Sequence, residues 1–344
     1  MQATPTSKLL DWYDAHRRAL PWRALPGAVA NPYHVWLSEI MLQQTTVATV
    51  IGYFEKFIDI WPTVHDLAAA EDDAVMTAWA GLGYYARARN LLKCARLIVD
   101  QHAGHFPDTE DALRALPGVG PYTAAAIAAI AFNQPAAPVD GNIERVLSRL
   151  AADTTPLPKL KARIKAYNAS LVPAERPGDF AQAMMDLGSS LCTPKRPACG
   201  DCPWQADCAA HASGVAETLP RKAPKREKPE RRGTVYWLEN KAGDVWMARR
   251  PEKGLLGGMY MFPSQGWDPA NDAPLDTLAP GTWTPLSGEV VHVFTHFRLT
   301  LTVEAHTWPH DDPPPIEGRW VAPHDFANVA LPSVMVKVAK HVLS

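Results

Sequence analysis

The chain has no excess of charge of either sign: 34 lysines and arginines face 36 aspartates and glutamates, for a net charge of −2. A basic polyelectrolyte binder is not evident from that total, but phosphate binding needs only a local basic face. No apolar run approaches the roughly eighteen residues of a membrane-spanning helix. The stretch from Met1 to Arg18 mixes charge with aromatics and lacks the apolar centre of a signal peptide. A cytoplasmic protein is expected. There is no internal repeat, which removes solenoids and propellers. Cysteine is scarce, at five residues, and four of them are crowded together, which does not suit the disulfide framework of a small secreted domain.

What is there fits a globular protein: 344 residues, 47% apolar and 20% charged, the length of two domains. Residues 1–219 read as helical, with apolar residues at three- and four-residue steps over Ala74–Trp79, Leu91–Val99, Thr123–Ala131 and Asn142–Leu150. Pro and Gly breaks separate these pieces at Trp61-Pro62, Gly81-Leu82-Gly83 and Pro117-Gly118. Residues 220–232 carry too much proline and charge to pack and read as a solvated linker. From 233 to 344 the period changes. Thr234–Leu238, Val245–Ala248, Gly288–Phe294 and Leu299–Ala305 read as strands, Asn240–Asp244 as a hairpin turn, and Val334–Val342 as a helix. The fold class is therefore a multidomain chain, all-α followed by mixed α/β.

Three constellations carry chemistry. Leu116-Pro117-Gly118-Val119-Gly120-Pro121-Tyr122-Thr123-Ala124 places two glycines in a tight turn directly before a helix. With the helix expected over about Thr109–Ala115, this makes a helix-hairpin-helix whose backbone N–H groups can hold a phosphate without reading a base. An ordinary helix corner is the bland alternative. Eighteen residues after Tyr122 stands Asp140, in Val139-Asp140-Gly141-Asn142, either a helix N-cap or a carboxylate at the mouth of a groove. Cys192, Cys199, Cys202 and Cys208 are separated by six, two and five residues. Zinc sites open with shorter gaps, so zinc is disfavoured, whereas four thiolates suit a [4Fe–4S] cluster. Cys94 stands alone in an apolar stretch and reads as inert core.

The hairpin, the Asp at this spacing and the four cysteines together resemble the endonuclease III superfamily of DNA glycosylases over residues 6–219. Ser38-Glu39-Ile40-Met41-Leu42-Gln43-Gln44-Thr45, with Leu20-Pro21-Trp22-Arg23, Gly81-Leu82-Gly83-Tyr84-Tyr85-Ala86-Arg87 and Val139-Asp140-Gly141-Asn142, is similar to the adenine DNA glycosylase (MutY) branch. Bifunctional relatives carry a Lys at the position of Tyr122, whose amine forms a Schiff base with the sugar. Tyr122 cannot, so the resemblance implies a monofunctional enzyme that uses water. It further implies that Glu39 is a general acid kept protonated by desolvation. An ionised Asp140 would stabilise the positive charge that develops on the sugar, and Tyr122 and Asn142 would support both. Arg18, Trp22, Arg23, Leu42 and Gln182 would line an adenine pocket. Gln44 and Tyr84 would enter the duplex, and Gly118, Val119, Gly120 and Thr123 would hold its backbone.

Residues 233–344 resemble the MutT-like lesion-recognition domain of that family. Gly254 to Leu278 lacks the Arg-Glu-x-x-Glu-Glu run of a Nudix phosphohydrolase, so hydrolysis of nucleotides is not expected. Phe294-Thr295-His296 stands where the family has Phe-Ser-His. The loop from Ala24 to Pro32 is longer than the family's usual one. The expected partner is duplex DNA with adenine opposite 8-oxoguanine or guanine, acted on by a monomer near the nucleoid. Three alternatives stand beside this reading. An endonuclease III-like pyrimidine glycosylase and lyase is disfavoured by Tyr122. Retention of Glu39 and Asp140 speaks against a silent iron–sulfur DNA-binding protein, and the missing box against a nucleotide-pool phosphohydrolase.

Overall fold

Six helices in the first two hundred residues start where a side-chain oxygen takes up a free backbone N–H. Thr4 caps α1 (Pro5–His16), Asn31 caps α2 (Pro32–Leu42) and Thr46 caps α3 (Val47–Ile60). Thr63 caps α4 (Val64–Ala69) in a reciprocal box with Asp66. Next come α5 (Asp72–Ala78), α6 (Ala86–His102), α7 (Glu110–Arg114) capped by Thr109, and α8 (Pro121–Phe132). Asp140 caps α9 (Gly141–Leu150), and α10 (Lys161–Leu171), α11 (Pro177–Ser190) and α12 (Ala209–Ala212) complete the series. The computed structural model describes residues 4–223, 227–251, 254–268, 282–310, 312–329 and 331–344. No described helix is long and apolar enough to cross a membrane.

The chain divides into two compact units, Met1–Ala70 with Asn90–Pro224, and Glu71–Arg89 with Lys225–Ser344. In the first, α8 is apolar on every side, as a helix surrounded by others must be. Its residues from Thr123 to Ala129 are all buried, against α2, α7 and α11. The amphipathic α9 turns Ile143, Val146, Leu147 and Leu150 onto Leu9, Tyr13, Leu160, Ile164, Phe180, Met184, Leu187 and Trp204. Each such fully buried aliphatic side chain contributes about 1.5–3 kcal/mol. Gly188 of α11 is what lets α9 and α11 approach, because a Cβ there would lie 2.7 Å from that of Asn142.

The second unit is built on an eight-stranded mixed sheet. Its central pair is parallel, β1 (Glu230–Glu239) with β7 (Arg298–Thr307). β2 (Val245–Arg249), β3 (Tyr260–Met261), β4 (Ser264–Gln265), β5 (Thr284–Pro285), β6 (Val290–Val293) and β8 (Gly318–Val321) all pair antiparallel. One face carries Val235, Trp237, Met247, Leu299, Leu301 and Val303 onto α13 (Ser333–Leu343) through Val334, Met335 and Val338. The Asn240–Asp244 turn forms as expected, Asn240 N donating to Asp244 O at 2.9 Å. The Pro220–Arg232 segment is less free than its composition implies. Leu157 N donates to Arg221 O at 2.9 Å beside a bridge between Leu157 and Lys222, and Glu230–Arg232 already belong to β1. Main-chain pairing with β7 does not require apolar side chains, so the strand runs on into the charged stretch. Pro224–Arg226 lie outside the described residues, as does the part of the span from Gly254 to Leu278 that follows Asp268.

Candidate active site

Glu39 sits on α2, a helix so apolar that eight of its eleven residues are buried. Only 6% of the residue is exposed. Burial pushes its carboxyl up to about 7, the main cause, against the opposing hydrogen bond from Tyr122 and the charge of Arg23; the charge of Asp140 pushes it the same way as burial. Tyr122, second residue of α8, is itself raised well above its ordinary value, first by burial and then by the charges of Glu39 and Asp140. Its hydroxyl also lies 3.9 Å from Met185 Sδ.

Glu39 lines a cavity together with Arg18, Trp22, Arg23, Leu42 and Gln182. All five pocket residues proposed from sequence thus converge on one space with the acid. The long loop before α2 does not disturb them. A turn through Gly27, with φ of +77°, throws Leu25 and Val29 into solvent while Trp22 stays packed edge-on against Phe54. Met185 and Ser38, which the sequence did not single out, line the same cavity.

Asp140 is both a cap and a fixed carboxylate. Its Oδ1 accepts from Ile143 N at 2.8 Å and its Oδ2 from Asn142 Nδ2 at 3.0 Å. Asn142 Oδ1 in turn accepts from Arg145 at 2.8 Å, and Arg145 donates onward to the carbonyls of Gly188 and Cys192 at 2.6 and 2.7 Å. The bonds that make Asp140 a helix N-cap also immobilise its carboxylate.

The hairpin turns at Gly118, whose φ is +76° and whose missing Cβ leaves room for Asn90, 2.9 Å from where it would be. Val119 is buried and Gly120 is the N-cap of α8, which no side chain caps. Thr123 is buried and its hydroxyl accepts from Gln43 Nε2 at 3.3 Å. Gln44, just past α2, is exposed with a left-handed φ of 60°. In the second unit Tyr84 is 56% exposed, also left-handed at φ 50°, and its hydroxyl lies 3.3 Å from Thr295 Oγ1. Thr295 and His296 are the exposed tip of the β6–β7 hairpin, closed by Phe294 N donating to Phe297 O at 2.9 Å. Phe294 itself is half-buried, stacked on Phe297 and Trp267.

Cys192, Cys199, Cys202 and Cys208 ring a single cavity of about 430 Å³ with Val146, Arg149, Leu187 and Trp204. Among the described residues no three cysteine, histidine or acidic side chains converge on a single-ion site. Arg149, 2% exposed, donates to Cys192 Sγ at 3.3 Å, a buried cation suited to a thiolate ligand rather than a thiol. The donor set fits a [4Fe–4S] cluster, which would tie the 192–208 loop to α9 through Arg149. Cys94 is fully buried elsewhere, its thiol pushed up to about 12 by burial.

Comparisons with known proteins agree with this geometry. Residues 37–169 match the HhH-GPD superfamily of base excision DNA repair proteins, 192–208 the iron–sulfur binding domain of endonuclease III, and 234–341 the NUDIX domain. The adenine DNA glycosylase of Mus musculus is 37% identical, covering 96% of this chain and 76% of the mouse protein. That of Homo sapiens is also 37% identical, covering 96% and 72%. Among solved structures, a thermostable thymine-DNA glycosylase is similar with a TM-score of 0.54 and 28% identity over 60% of this chain and 95% of that one.

Proposed function

This chain belongs to the adenine DNA glycosylase family, and we propose that it excises adenine mispaired with 8-oxoguanine or guanine in duplex DNA, acting as a monomer and without cutting the strand. The observation that carries the reading is Glu39: a carboxyl buried to near-neutral acidity, in the same cavity as two arginines, a tryptophan and a glutamine. Such a space has the mixed polar and apolar lining of a small-ligand site, and an adenine flipped out of the duplex is the ligand the family acts on.

In the proposed reaction Glu39 gives its proton to the adenine ring as the bond from sugar carbon to base nitrogen breaks, and the bonding electrons leave with the base. Asp140, held by Ile143 N and Asn142, faces the cationic sugar. Its orientation is set before substrate arrives, so little reorganisation is needed as charge develops. Water then adds to the sugar carbon and returns a proton to the carboxylate of Glu39. Tyr122 offers no amine, so no Schiff base forms and the product is an intact strand with a missing base. The α8 N-terminus beyond Gly118 and Gly120 supports phosphate contact. Gln44 and Tyr84, exposed and in strained backbone conformations, are assigned to the duplex interior. The hairpin tip Thr295-His296 is assigned to the oxidised guanine. A cluster in the cysteine cavity would secure the loop at 192–208. Duplexes with adenine opposite each of the four bases and 8-oxoguanine, assayed for free adenine, test the reading. Release opposite guanine and 8-oxoguanine alone is expected, and release of pyrimidines or none at all would overturn it.

A further inference from the structure

Behind the cavity lies a carboxylate that lines no part of it. Asp186, on α11 and 1% exposed, sits in the apolar run Ala183-Met184-Met185-Asp186-Leu187-Gly188. Its Oδ1 accepts from Arg18 Nε at 2.6 Å and from one terminal nitrogen of Arg23 at 2.8 Å. Its Oδ2 accepts from the other terminal nitrogen of Arg23 at 2.6 Å and from the Arg18 backbone N–H at 3.3 Å. Both arginines line the cavity, whereas Asp186 does not. Arg23 is as buried as its partner, its side chain being 6% exposed. Burial pushes the Asp186 carboxyl up, but the hydrogen bonds and charges of Arg23 and Arg18 more than reverse this and hold it below its ordinary value. It is an anion at neutral pH.

We propose that Asp186 is a positioning residue for adenine excision, fixing both pocket arginines and screening Glu39 from their positive charge. The proposal rests on Glu39 being the acid. The charged and titratable groups that face Glu39 are Arg18 and Arg23 from the segment after α1, Tyr122 from α8 and Asp140 from the start of α9. Arg23 favours the ionised form of Glu39 and Asp140 the protonated one. With Asp186 present, two cations share one anion at the cavity wall. Without it, both act uncompensated in a medium of low polarity, and Glu39 surrenders its proton at lower pH. A catalyst that needs protonated Glu39 therefore loses rate earlier as pH rises. The same carboxylate also accounts for geometry: it holds two long side chains that line the cavity and lose much rotamer freedom when fixed.

The test is the pH profile of single-turnover adenine excision from a duplex carrying adenine opposite 8-oxoguanine, on the full chain with its cluster. Asp186→Asn keeps the shape and removes the charge. Its alkaline limb is expected to move down by about one pH unit, so that the loss relative to wild type is about tenfold greater on the alkaline side than on the acid side. Asp186→Glu, which keeps the charge, should hold the limb near its wild-type position. Arg23→Gln should move it upward, since it removes a cation that opposes protonation. A folded Asp186→Asn protein with intact visible absorbance and an unmoved limb overturns the proposal. Should that variant fail to fold, Arg23→Gln decides alone, and a limb that stays or moves down is the contrary result. Wild-type protein that releases no adenine would instead refute the excision reading itself, and release with no alkaline limb would refute Glu39 as its acid.

Discussion

The two units treat charge in opposite ways. Among the described residues the helical unit buries Glu39, Arg145, Arg149 and Asp186, while the sheet unit buries a single charged side chain, Arg250. Arg250 is paired with Asp268 and lies over the Trp267 ring, as structural ion pairs do. The sheet unit instead fills its interior with Trp237, Phe262, Trp267 and aliphatic residues, and sets Thr295 and His296 out at a hairpin tip. Burying an ion is costly unless it is paired or can give up its charge. The helical unit meets that cost with networks: Asp186 between two arginines, Arg145 and Arg149 on carbonyls and a sulfur, Asp140 on a cap. Glu39 meets it with a carboxyl raised to about 7, which can give up its charge close to neutral pH. Acid–base work requires that desolvation, whereas recognition of a partner base requires access.

The contrast is broken most severely at Asp140. Asp140→Asn leaves the cap largely in place but removes the anion proposed to face the sugar, and single-turnover excision is expected to fall about 10²–10³-fold. Asp140→Asn within a few-fold of wild type would mean that the cap is its whole role.

The cost of desolvating Glu39 is itself measurable as stability. Its carboxyl is raised from 4.5 to about 7 in the folded protein, so folding takes up a proton between those values. Stability should fall as pH rises through that window and level off above it. Glu39→Gln removes the penalty. Its stabilisation over wild type should be absent at about pH 4 and reach roughly 2–3 kcal/mol by pH 8, read from denaturant midpoints. Equal stabilisation at both pH values would contradict a buried, proton-holding Glu39.

The sheet unit should respond more mildly and only in specificity. Thr295→Ala with His296→Ala spares Phe294, which is packed into the core, and should reduce the preference for 8-oxoguanine over guanine about tenfold while excision opposite guanine persists. An unchanged ratio at fixed salt would remove lesion reading from the hairpin. The smallest effect is expected at Cys94, where substitution by Ser should leave iron content and visible absorbance unaltered. The same change at Cys199 should abolish both.

Much of this was legible in the sequence because it is local. The apolar period over Thr123–Ala131 gives α8 nearly to its ends, Pro121 and Phe132. The spacing of four cysteines anticipates a shared cavity, and the motif around Glu39 gathers five pocket residues into one space. The unread parts are non-local. The β1–β7 pairing joins residues some seventy positions apart in parallel register, and β3, β4 and β5 have two residues each, too short to show a period. Asp186 carries no sequence signal of its own beyond being an acid within the apolar run Ala183–Gly188. Its meaning depends on Arg18 and Arg23, which reach it across more than 160 positions. Arg145 and Arg149 are alike in this: by sequence they are ordinary charges on α9, and only their partners near Cys192 distinguish them.

The account stands most directly on the proton that Glu39 is said to carry. Single-turnover adenine release by wild type and Glu39→Gln, measured across pH on a duplex with adenine opposite 8-oxoguanine, tests it. Wild-type rate should decline as pH rises through about 7. The Gln variant should bind the duplex yet be about 10³-fold slower or worse at every pH. A wild-type rate that ignores pH across that range, or a Gln variant that retains substantial activity, would contradict the account.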